Sequence, residues 1–306
     1  MECPICESPN IQHLRIGDAY CWQSTFGVEV MECGECKFLF ADFIHPQVIE
    51  FFYNSICRTG TTSEALDLLK EEARGSGRSQ FKTIEPYLPK KLGRVLDFGG
   101  GVGETAKLFI PLADQVFITE SNPLCIKEIN NEPELTLIDG ANLINEEYIG
   151  FFDLIIFSNV LEHMTYPVGR IQNFSRLLSQ GGQLFVEVPN EAPTVRHNGK
   201  MCQQHIGFYT LDTFRNLIEK QGSFDIENLR TCGPKVEDII AQQKLLHDFD
   251  AQETPDGWVI RAMLKNNRPN SEFIDMDIKM SDVGALLAKL SQSVFLMTHD
   301  KIGSNQ

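Results

Sequence analysis

The sequence predicts an α/β fold in which a seven-stranded, mostly parallel sheet carries helices on both faces. From residue 94 onward, β-rich segments alternate regularly with segments of helical composition. Such alternation is typical of parallel strands joined by crossover helices. The chain has 306 residues, of which 42% are hydrophobic, so it is long enough for one domain of this kind with smaller modules beside it.

The seven predicted strands share runs of β-branched, aliphatic and aromatic residues, and they lie at 94–99, 115–121, 135–139, 153–159, 183–190, 224–230 and 258–265. Helical segments between the first six strands are predicted at 104–113, 123–131, 167–180 and 211–222. A further helix is expected near residues 236–248, before the last strand. Each assignment follows from hydrophobic periodicity and from the position of turn residues.

The sequence predicts three smaller parts in addition to the main domain. Residues 1–41 are expected to form a small module, and residues 42–92 a helical segment that contributes to the substrate pocket through Tyr53. Residues 93–265 hold the main domain, and residues 266–306 form a helical tail. Within the helical segment, the glycine- and serine-rich stretch 73–79 predicts a turn or hinge.

The first 36 residues contain five of the nine cysteines. Four of these form two C-x2-C pairs separated by 26 residues; they are Cys3, Cys6, Cys33 and Cys36. Two thiolates with this spacing reach one tetrahedral ion from a tight turn, so two pairs predict a zinc site. We expect a structural ion, because four thiolates leave no position open for catalysis. His13 and Cys21 are alternative ligands, and unrelated free thiols are the alternative interpretation.

Composition limits the partners. The formal net charge of −15 opposes binding to a phosphate backbone, which needs clustered Lys and Arg. No stretch reaches the roughly 18 uninterrupted apolar residues that span a bilayer, and the N-terminus has neither a basic leader nor an apolar run. We therefore expect a cytoplasmic protein that acts on a small-molecule substrate, without nucleic acid or membrane as partners. The oligomeric state stays open.

A glycine-rich turn follows the first predicted strand, where residues 95–104 read VLDFGGGVGE. Glycines leave no Cβ between the backbone and a ligand, and the next helix offers unpaired N–H groups. A nucleotide-like cofactor can therefore lie against this turn.

The details of the turn bear on which cofactor it binds. The dinucleotide pattern G-x-G-x-x-G/A fails when it starts at Gly99, because Glu104 takes its last position. It passes when it starts at Gly101 and ends at Ala106, but two glycines then separate the strand from a turn that should follow it directly. The pattern D-x-G-x-G-x-G needs no such spacer, and it uses Asp97, Gly99, Gly101 and Gly103.

On these residues the chain resembles class I S-adenosylmethionine-dependent methyltransferases, over about residues 94–230. The resemblance implies a Rossmann-like sheet whose last strand is short and is inserted antiparallel into the edge, with S-adenosyl-L-methionine (SAM) as cofactor. Glu120 ends the second strand, where a carboxylate can accept hydrogen bonds from both ribose hydroxyls. An NAD enzyme also needs an acid there, so Glu120 indicates a nucleoside ligand without choosing between the two cofactors. Asp139 ends the third strand, where the family contacts the adenine amino group. Asn159 lies in FSNVLEH, similar to the segment that lines the methionine part of the cofactor.

The order of the parts resembles bacterial sugar methyltransferases, including C-methyltransferases of deoxysugar pathways, over about residues 1–230. That resemblance implies a sugar acceptor linked to a nucleotide. The C-methyltransferases continue into a further α/β half that this sequence does not contain, so we leave open whether O, N or C is methylated.

Four residues are candidates for contact with the acceptor: His205, His163, Tyr209 and Glu187. His205 matches the family's substrate-facing H-x-x-[FY]-[FYS] segment, although Gln204 stands where many relatives have Glu, which predicts that a polar partner is missing. His163 follows the fourth strand and is a candidate general base. The alternatives are packing under the loop for His163, a core position for Tyr209 and a solvent-facing position for Glu187.

Two other functions remain in competition with a small-molecule methyltransferase. Some RNA methyltransferases also begin with a four-cysteine zinc site, although the acidic charge of this chain argues against an RNA substrate. A zinc-dependent interaction scaffold that keeps the fold without catalysis is the third hypothesis.

Overall fold

The structure is a computed structural model that describes residues 1–21, 24–42, 63–202, 205–241 and 252–268. Tyr53, Gln204, most of the predicted tail and the second half of the helix predicted near 236–248 lie outside the described residues. In the described part of the chain, no helix combines the length and the apolar character that crossing a membrane requires.

The strands, in chain order, are β1 (Ile11–Cys21), β2 (Ser24–Cys33), β3 (Leu39–Ala41), β4 (Leu92–Phe98), β5 (Ala113–Thr119), β6 (Leu135–Leu137), β7 (Phe152–Ser158), β8 (Leu178–Pro189), β9 (Lys200–Cys202), β10 (Gly207–Phe208), β11 (Phe224–Lys235) and β12 (Gly257–Asn266). The α-helices are α1 (Ser63–Ile84), α2 (Pro123–Ile129), α3 (Pro167–Leu177), α4 (Ala192–Asn198), α5 (Leu211–Gln221) and α6 (Val236–Ile240). Single 3-10 turns include Ala106–Phe109, Gly140–Ile144 and Leu161–His163.

The larger sheet of the described residues has seven strands in the order β11-β12-β8-β7-β4-β5-β6. The five strands from β8 to β6 pair in parallel, whereas β12 is antiparallel to both β8 and β11. The α/β class and the mostly parallel sheet predicted from the sequence are confirmed. The expected antiparallel insertion of the last strand into the edge of the sheet is confirmed, because β12 lies between β11 and β8. The expectation that this strand is short is wrong, because β12 has ten residues.

The central strands are apolar on both faces because helices and loops cover both sides of the sheet. In β7, all side chains from Leu154 to Phe157 are fully buried. The polar residues come at the carboxyl ends of the strands, where Ser158 ends β7 and Asn190 follows β8. This edge of the sheet is where ligands bind in open α/β folds.

Helix α1 corrects the prediction of a hinge at residues 73–79, because it continues through this stretch without a break. Tertiary contacts outweigh the low helix propensity of its glycines. At Gly77 a Cβ would lie 2.9 Å from Oγ1 of Thr105, so the glycine permits close packing of the helix against the turn after β4. Arg74 also binds Glu104, with 2.9 Å between Nε and Oε2.

The N-terminal residues form a second sheet, whose strand order is β10-β3-β2-β1-β9. Its outer strands β9 and β10 come from residues 200–208, and they lie on either side of His205 in the sequence. Phe38 and Phe40 pack in one core with Tyr209 and Phe214, with the Phe38 and Tyr209 ring centroids 5.1 Å apart. The N-terminal sheet therefore packs directly on the segment that carries His205.

Candidate functional site

The turn after β4 has the backbone geometry that its glycines predicted. Gly99, Gly101 and Gly103 have φ angles of +74°, +58° and +81°, in the left-handed region that favours glycine. The N–H of Gly99 donates to the carbonyl oxygen of Thr119 at 3.1 Å, which ties the turn to the end of β5. The turn is thus a bare stretch of backbone at the carboxyl edge of the sheet.

Asp97 lies beneath this turn and is only 3% exposed. Its Oδ2 atom has no hydrogen-bond partner among the described residues. Burial, followed by repulsion from Glu120, raises the pKa of Asp97 to about 7, although a backbone hydrogen bond from Ala106 opposes the shift. An unsatisfied buried carboxyl group beside a glycine turn fits a ligand with donors or positive charge.

Two acids among the predicted cofactor residues, Glu120 and Asp139, lie at the same edge of the sheet. Glu120 accepts hydrogen bonds at Oε1 from the backbone N–H groups of Ser121 and Asn122, at 2.7 and 2.8 Å. Asp139 caps the next 3-10 turn by accepting from the N–H of Ala141 at 2.9 Å. Both acids thus follow parallel strands and have side chains oriented by local backbone hydrogen bonds.

Asn159 follows β7 with a left-handed φ of +52°, an uncommon conformation for a residue other than glycine. Its side-chain amide donates to Oε1 of Glu187 at 2.9 Å and to Oγ of Ser158 at 3.1 Å. These bonds hold a strained residue between the glycine turn and the segment with His163.

The two histidines predicted to contact the acceptor, His163 and His205, lie side by side. The ring centroids of His163 and His205 are 4.9 Å apart. Nε2 of His163 is 3.8 Å from Oε1 of Glu162, and Nε2 of His205 is 3.9 Å from the same oxygen. The sequence placed these histidines 42 residues apart, and the fold brings both to one carboxylate.

A second carboxylate orients His205. Nδ1 of His205 lies 2.5 Å from Oε2 of Glu191, the residue before α4. The Glu191 side chain is 5% exposed and that of His205 is 12% exposed, so water competes little for this bond. With Nδ1 as the donor, the lone pair of Nε2 faces Glu162 and His163.

Glu162 and Tyr209 are the most deeply buried members of this cluster. Glu162 is 1% exposed, and burial raises its pKa to about 7 against the opposing charge of His205. Oε2 of Glu162 and the hydroxyl of Tyr209 have no hydrogen-bond partner among the described residues. Tyr209 is fully buried, and burial together with the Glu162 charge raises its pKa.

A methyltransferase-domain family model matches residues 70–227, slightly more than half of the chain. The chain belongs to this methyltransferase family. It is therefore a SAM-dependent methyltransferase, as the glycine turn and its acids predicted. The SAM assignment agrees with a turn of bare backbone next to the unsatisfied carboxyl group of Asp97.

Solved structures of low sequence identity match this chain. A SAM-dependent methyltransferase from Thermotoga maritima, described as a possible histamine N-methyltransferase, is 14% identical with a TM-score of 0.50; the match covers 73% of this chain and all of the other. The N-methyltransferase NodS of Bradyrhizobium japonicum, in complex with S-adenosyl-L-homocysteine (SAH), is 16% identical with a TM-score of 0.44, covering 72% of this chain and 98% of that one. No curated protein sequence matches the methyltransferase.

Glu187, predicted as a candidate for contact with the acceptor, is instead buried and paired with other side chains of the chain. It is 1% exposed, so the solvent-facing alternative is wrong, and its Oε2 accepts from Nε of Arg261 at 2.6 Å. Its Oε1 accepts from Gln80, Ser158 and Asn159 at 2.8, 3.0 and 2.9 Å. The carboxylate of Glu187 therefore joins α1, β7 and β12.

The four predicted zinc ligands of the methyltransferase come together. Sγ of Cys3 is 3.5 Å from Sγ of Cys36, Sγ of Cys6 is 3.4 Å from Sγ of Cys33, and all four sulfur atoms lie within 4.8 Å of one another. A tetrahedral zinc with Zn–S bonds of about 2.3 Å places its sulfur ligands roughly 3.8 Å apart, so the donor set fits. The alternative ligand His13 instead pairs with Glu29 at the surface, with 2.7 Å between Nε2 and Oε2.

Sequence reasoning missed three residues of the site. Glu191 supplies the partner of His205 that Gln204 suggested was lacking, and it reaches the histidine from 14 residues upstream. In the sequence, Glu162 stands out only as part of the segment FSNVLEH. Arg261 lies in the middle of an apolar strand, and that charge in β12 was the available signal for a buried acidic partner.

Proposed function

We propose that this methyltransferase transfers the methyl group of SAM to a hydroxyl group of a small-molecule acceptor, a sugar linked to a nucleotide. The observation that carries the proposal is the cluster of His163, His205 and Glu162 at the edge of the sheet that also holds the glycine turn. A hydroxyl group must lose its proton during methyl transfer, and a histidine held by a carboxylate suits that requirement.

The residues proposed to hold SAM surround the turn after β4; they are Asp97, Gly99, Gly101, Gly103, Glu120, Asp139 and Asn159. The glycines let the ligand approach the backbone, and the acids accept hydrogen bonds from hydroxyl and amino groups. When bound, SAM supplies an electrophilic methyl group on a positively charged sulfur. Asp97, whose buried Oδ2 has no hydrogen-bond partner among the described residues, is proposed to interact with a positively charged part of SAM.

His205 is proposed to act on the acceptor hydroxyl through Nε2. The hydrogen bond from Nδ1 to Glu191 fixes the ring and favours a positive charge on it when a proton arrives at Nε2. His163 lies beside His205 and is proposed to contact the acceptor. The hydroxyl of Tyr209 is available to the acceptor as a hydrogen-bond partner. Glu187 is proposed as a positioning residue, because its bonds to Arg261 and Asn159 leave it no role at the reacting atoms.

The sugar part of the proposal rests on two observations. Residues 1–230 resemble bacterial sugar methyltransferases in the order of their parts. The net charge of −15 also opposes an RNA substrate, whose phosphates would need a basic surface. These observations favour a small polyhydroxylated acceptor over RNA.

We also propose that Cys3, Cys6, Cys33 and Cys36 hold a structural zinc ion. The N-terminal sheet that the ion would stabilise pairs with β9 and β10, on both sides of His205. The N–H of Ala41 donates to the carbonyl oxygen of Ile206 at 2.8 Å, and the N–H of Ile206 donates to the carbonyl oxygen of Glu162 at 2.7 Å. The zinc site therefore supports the backbone that presents His205.

Calorimetry with SAH, followed by turnover with a panel of nucleotide-linked sugars, tests the proposal. We expect binding by the purified protein, and loss of binding in Asp97→Ala and Glu120→Ala. His205→Asn should keep SAH binding and lose about 10²- to 10⁴-fold in kcat, whereas the matched surface variant His197→Asn should be unaffected. Absence of SAH binding would contradict the whole proposal. Binding without methylation of any sugar nucleotide would contradict the acceptor assignment alone, and salt-dependent binding of total RNA in a gel-shift assay would favour RNA.

A further inference from the structure

The cluster at the acceptor site contains three groups that commonly bind metals. One ring nitrogen of His163, one ring nitrogen of His205 and a carboxylate oxygen of Glu162 all lie within 4.8 Å of one another. The two histidine nitrogens are 3.8 and 3.9 Å from Oε1 of Glu162. This set is separate from the four cysteines, and its donors are nitrogen and oxygen instead of sulfur.

The spacing of these donors suits one shared cation. Divalent ions bind imidazole nitrogen and carboxylate oxygen at about 2.0 to 2.2 Å, which places two ligands of the same ion roughly 3 to 4.4 Å apart. The two distances to Oε1 of Glu162 lie inside this interval, and the two histidine nitrogens lie within 4.8 Å of each other. A small movement of the side chains would place one ion in contact with all three donors.

Two independent features of the cluster point to an ion. Glu162 is 1% exposed, and its Oε2 has no hydrogen-bond partner among the described residues, which is costly unless a ligand is present. His205 also donates from Nδ1 to Glu191. Metal-binding histidines are held by such a carboxylate on the second nitrogen, which fixes the tautomer and raises the basicity of the ligand atom.

We propose that Glu162, His163 and His205 bind a divalent transition-metal ion, such as Mn²⁺, that also binds the acceptor. Two imidazoles and one carboxylate leave several coordination positions open. Two adjacent hydroxyl groups of a sugar can occupy two of these positions. The inference rests on the proposed function, because it uses the acceptor site of the same reaction.

The ion would replace direct proton transfer to Nε2 of His205, which becomes a metal ligand. A hydroxyl group bound to the ion has a lowered pKa and releases its proton to solvent. The resulting oxygen forms the new bond to the methyl carbon as the carbon–sulfur bond breaks, which leaves SAH and the methylated acceptor. The charge and the atoms therefore balance without a further reactant.

Titration of MnCl₂ into zinc-replete protein in the presence of SAH tests the metal site, because Mn²⁺ prefers oxygen and nitrogen donors to thiolates. We expect one Mn²⁺ per chain. Glu162→Gln and His163→Asn should weaken binding by more than the roughly 10- to 100-fold expected for Glu191→Gln, which changes only the supporting carboxylate. His197→Asn, a surface histidine, should bind Mn²⁺ as the wild type does.

Pulsed electron paramagnetic resonance on the wild-type Mn²⁺ complex provides a second measurement that needs no variant. We expect magnetic coupling to imidazole nitrogen. No Mn²⁺ binding, binding that is indifferent to Glu162→Gln and His163→Asn, or an absence of nitrogen coupling would each overturn the proposal.

The two proposals fail separately. Protein that binds SAH and methylates its acceptor after treatment with a chelator, with the zinc site intact, contradicts the metal site and leaves the proposed function standing. Protein that binds Mn²⁺ through these residues but methylates no nucleotide-linked sugar contradicts the acceptor assignment and leaves the metal site standing.

Discussion

Replacement of Arg261 by Met would leave the carboxylate of Glu187 buried without its cationic partner. Both side chains are 1% exposed, and Nε of Arg261 donates to Oε2 of Glu187 at 2.6 Å. Nη1 of Arg261 also donates to Oγ and the carbonyl oxygen of Ser79 and to Oγ1 of Thr83, at 3.0, 3.2 and 3.0 Å. Arg261 therefore connects β12 both to β8 and to α1.

The structure sets the expected size of the effect. Removal of one partner from a buried ion pair costs about 3–5 kcal/mol of unfolding free energy, because the other charge stays buried. Glu187 keeps three hydrogen bonds at Oε1, from Gln80, Ser158 and Asn159, which compensate part of its charge. We therefore expect Arg261→Met to cost about 3–4 kcal/mol, near the lower end of that range.

A double-mutant cycle separates the stranded charge from lost packing. Glu187→Gln removes the charge and keeps an oxygen that can accept the three remaining hydrogen bonds. Added to Arg261→Met, it should recover about 1–2 kcal/mol of the loss. Urea denaturation at constant zinc concentration measures each free energy, and an unchanged m value shows that the comparison is valid.

An exposed pair serves as the matched control. Nη1 of Arg215 is 3.9 Å from Oε1 of Glu219 one helical turn away, and both side chains are more than 40% exposed. Arg215→Met should cost less than about 0.5 kcal/mol. The reasoning fails if Arg261→Met costs less than about 1 kcal/mol, or if Glu187→Gln gives no recovery in the double variant.

Three further outcomes are expected. Treatment with a chelator, or Cys36→Ser, should increase hydrogen exchange at residues 200–208 and lower kcat, while SAH affinity stays within about twofold. The reason is that the proposed zinc ion would support the flanks of His205 and not the glycine turn; an unchanged kcat would contradict this role. SAM affinity measured by calorimetry should rise with pH and level off above about 7, the raised pKa of Asp97, with a slope of at most about tenfold per pH unit that Asp97→Asn abolishes. A pH-independent SAM affinity would contradict the assignment. The raised pKa also means that Asp97 stabilises the ligand-free fold fully below about pH 3.8 and that this contribution is lost as the pH rises through about 7. Urea denaturation of the wild type and of Asp97→Asn at several pH values measures this change in unfolding free energy.

Much of the fold followed from local pattern. The seven strands of the main sheet overlap the predicted segments, and the helices at 123–131, 167–180 and 211–222 were predicted within a few residues of α2, α3 and α5. These elements have strong periodicity and clear turn residues at their ends. The helix predicted at 104–113 is a short 3-10 turn at Ala106–Phe109 instead.

The hinge that the sequence predicted at residues 73–79, where the structure has a continuous helix, shows where local sequence pattern fails to predict secondary structure. Gly75 and Gly77 lower the helix propensity of residues 73–79, but the cost is small beside the contacts that the helix makes with Thr105, Glu104 and Arg261. None of those partners is near in sequence. The position of β12 inside the edge also depends on pairing with strands far along the chain, which no local pattern records.

The sequence by itself determined the glycine turn, the two cysteine pairs and the histidines, because each chemistry depends on residue type at short spacing. Only the tertiary structure decided that Glu191 holds His205, that Oε1 of Glu162 lies 3.8 and 3.9 Å from His163 and His205, and that β9 and β10 pair with N-terminal strands on both sides of His205. The physical reason is that charge, burial and coordination act over a few ångströms in space. Residues 14 to more than 150 positions apart reach that distance only when the chain has folded.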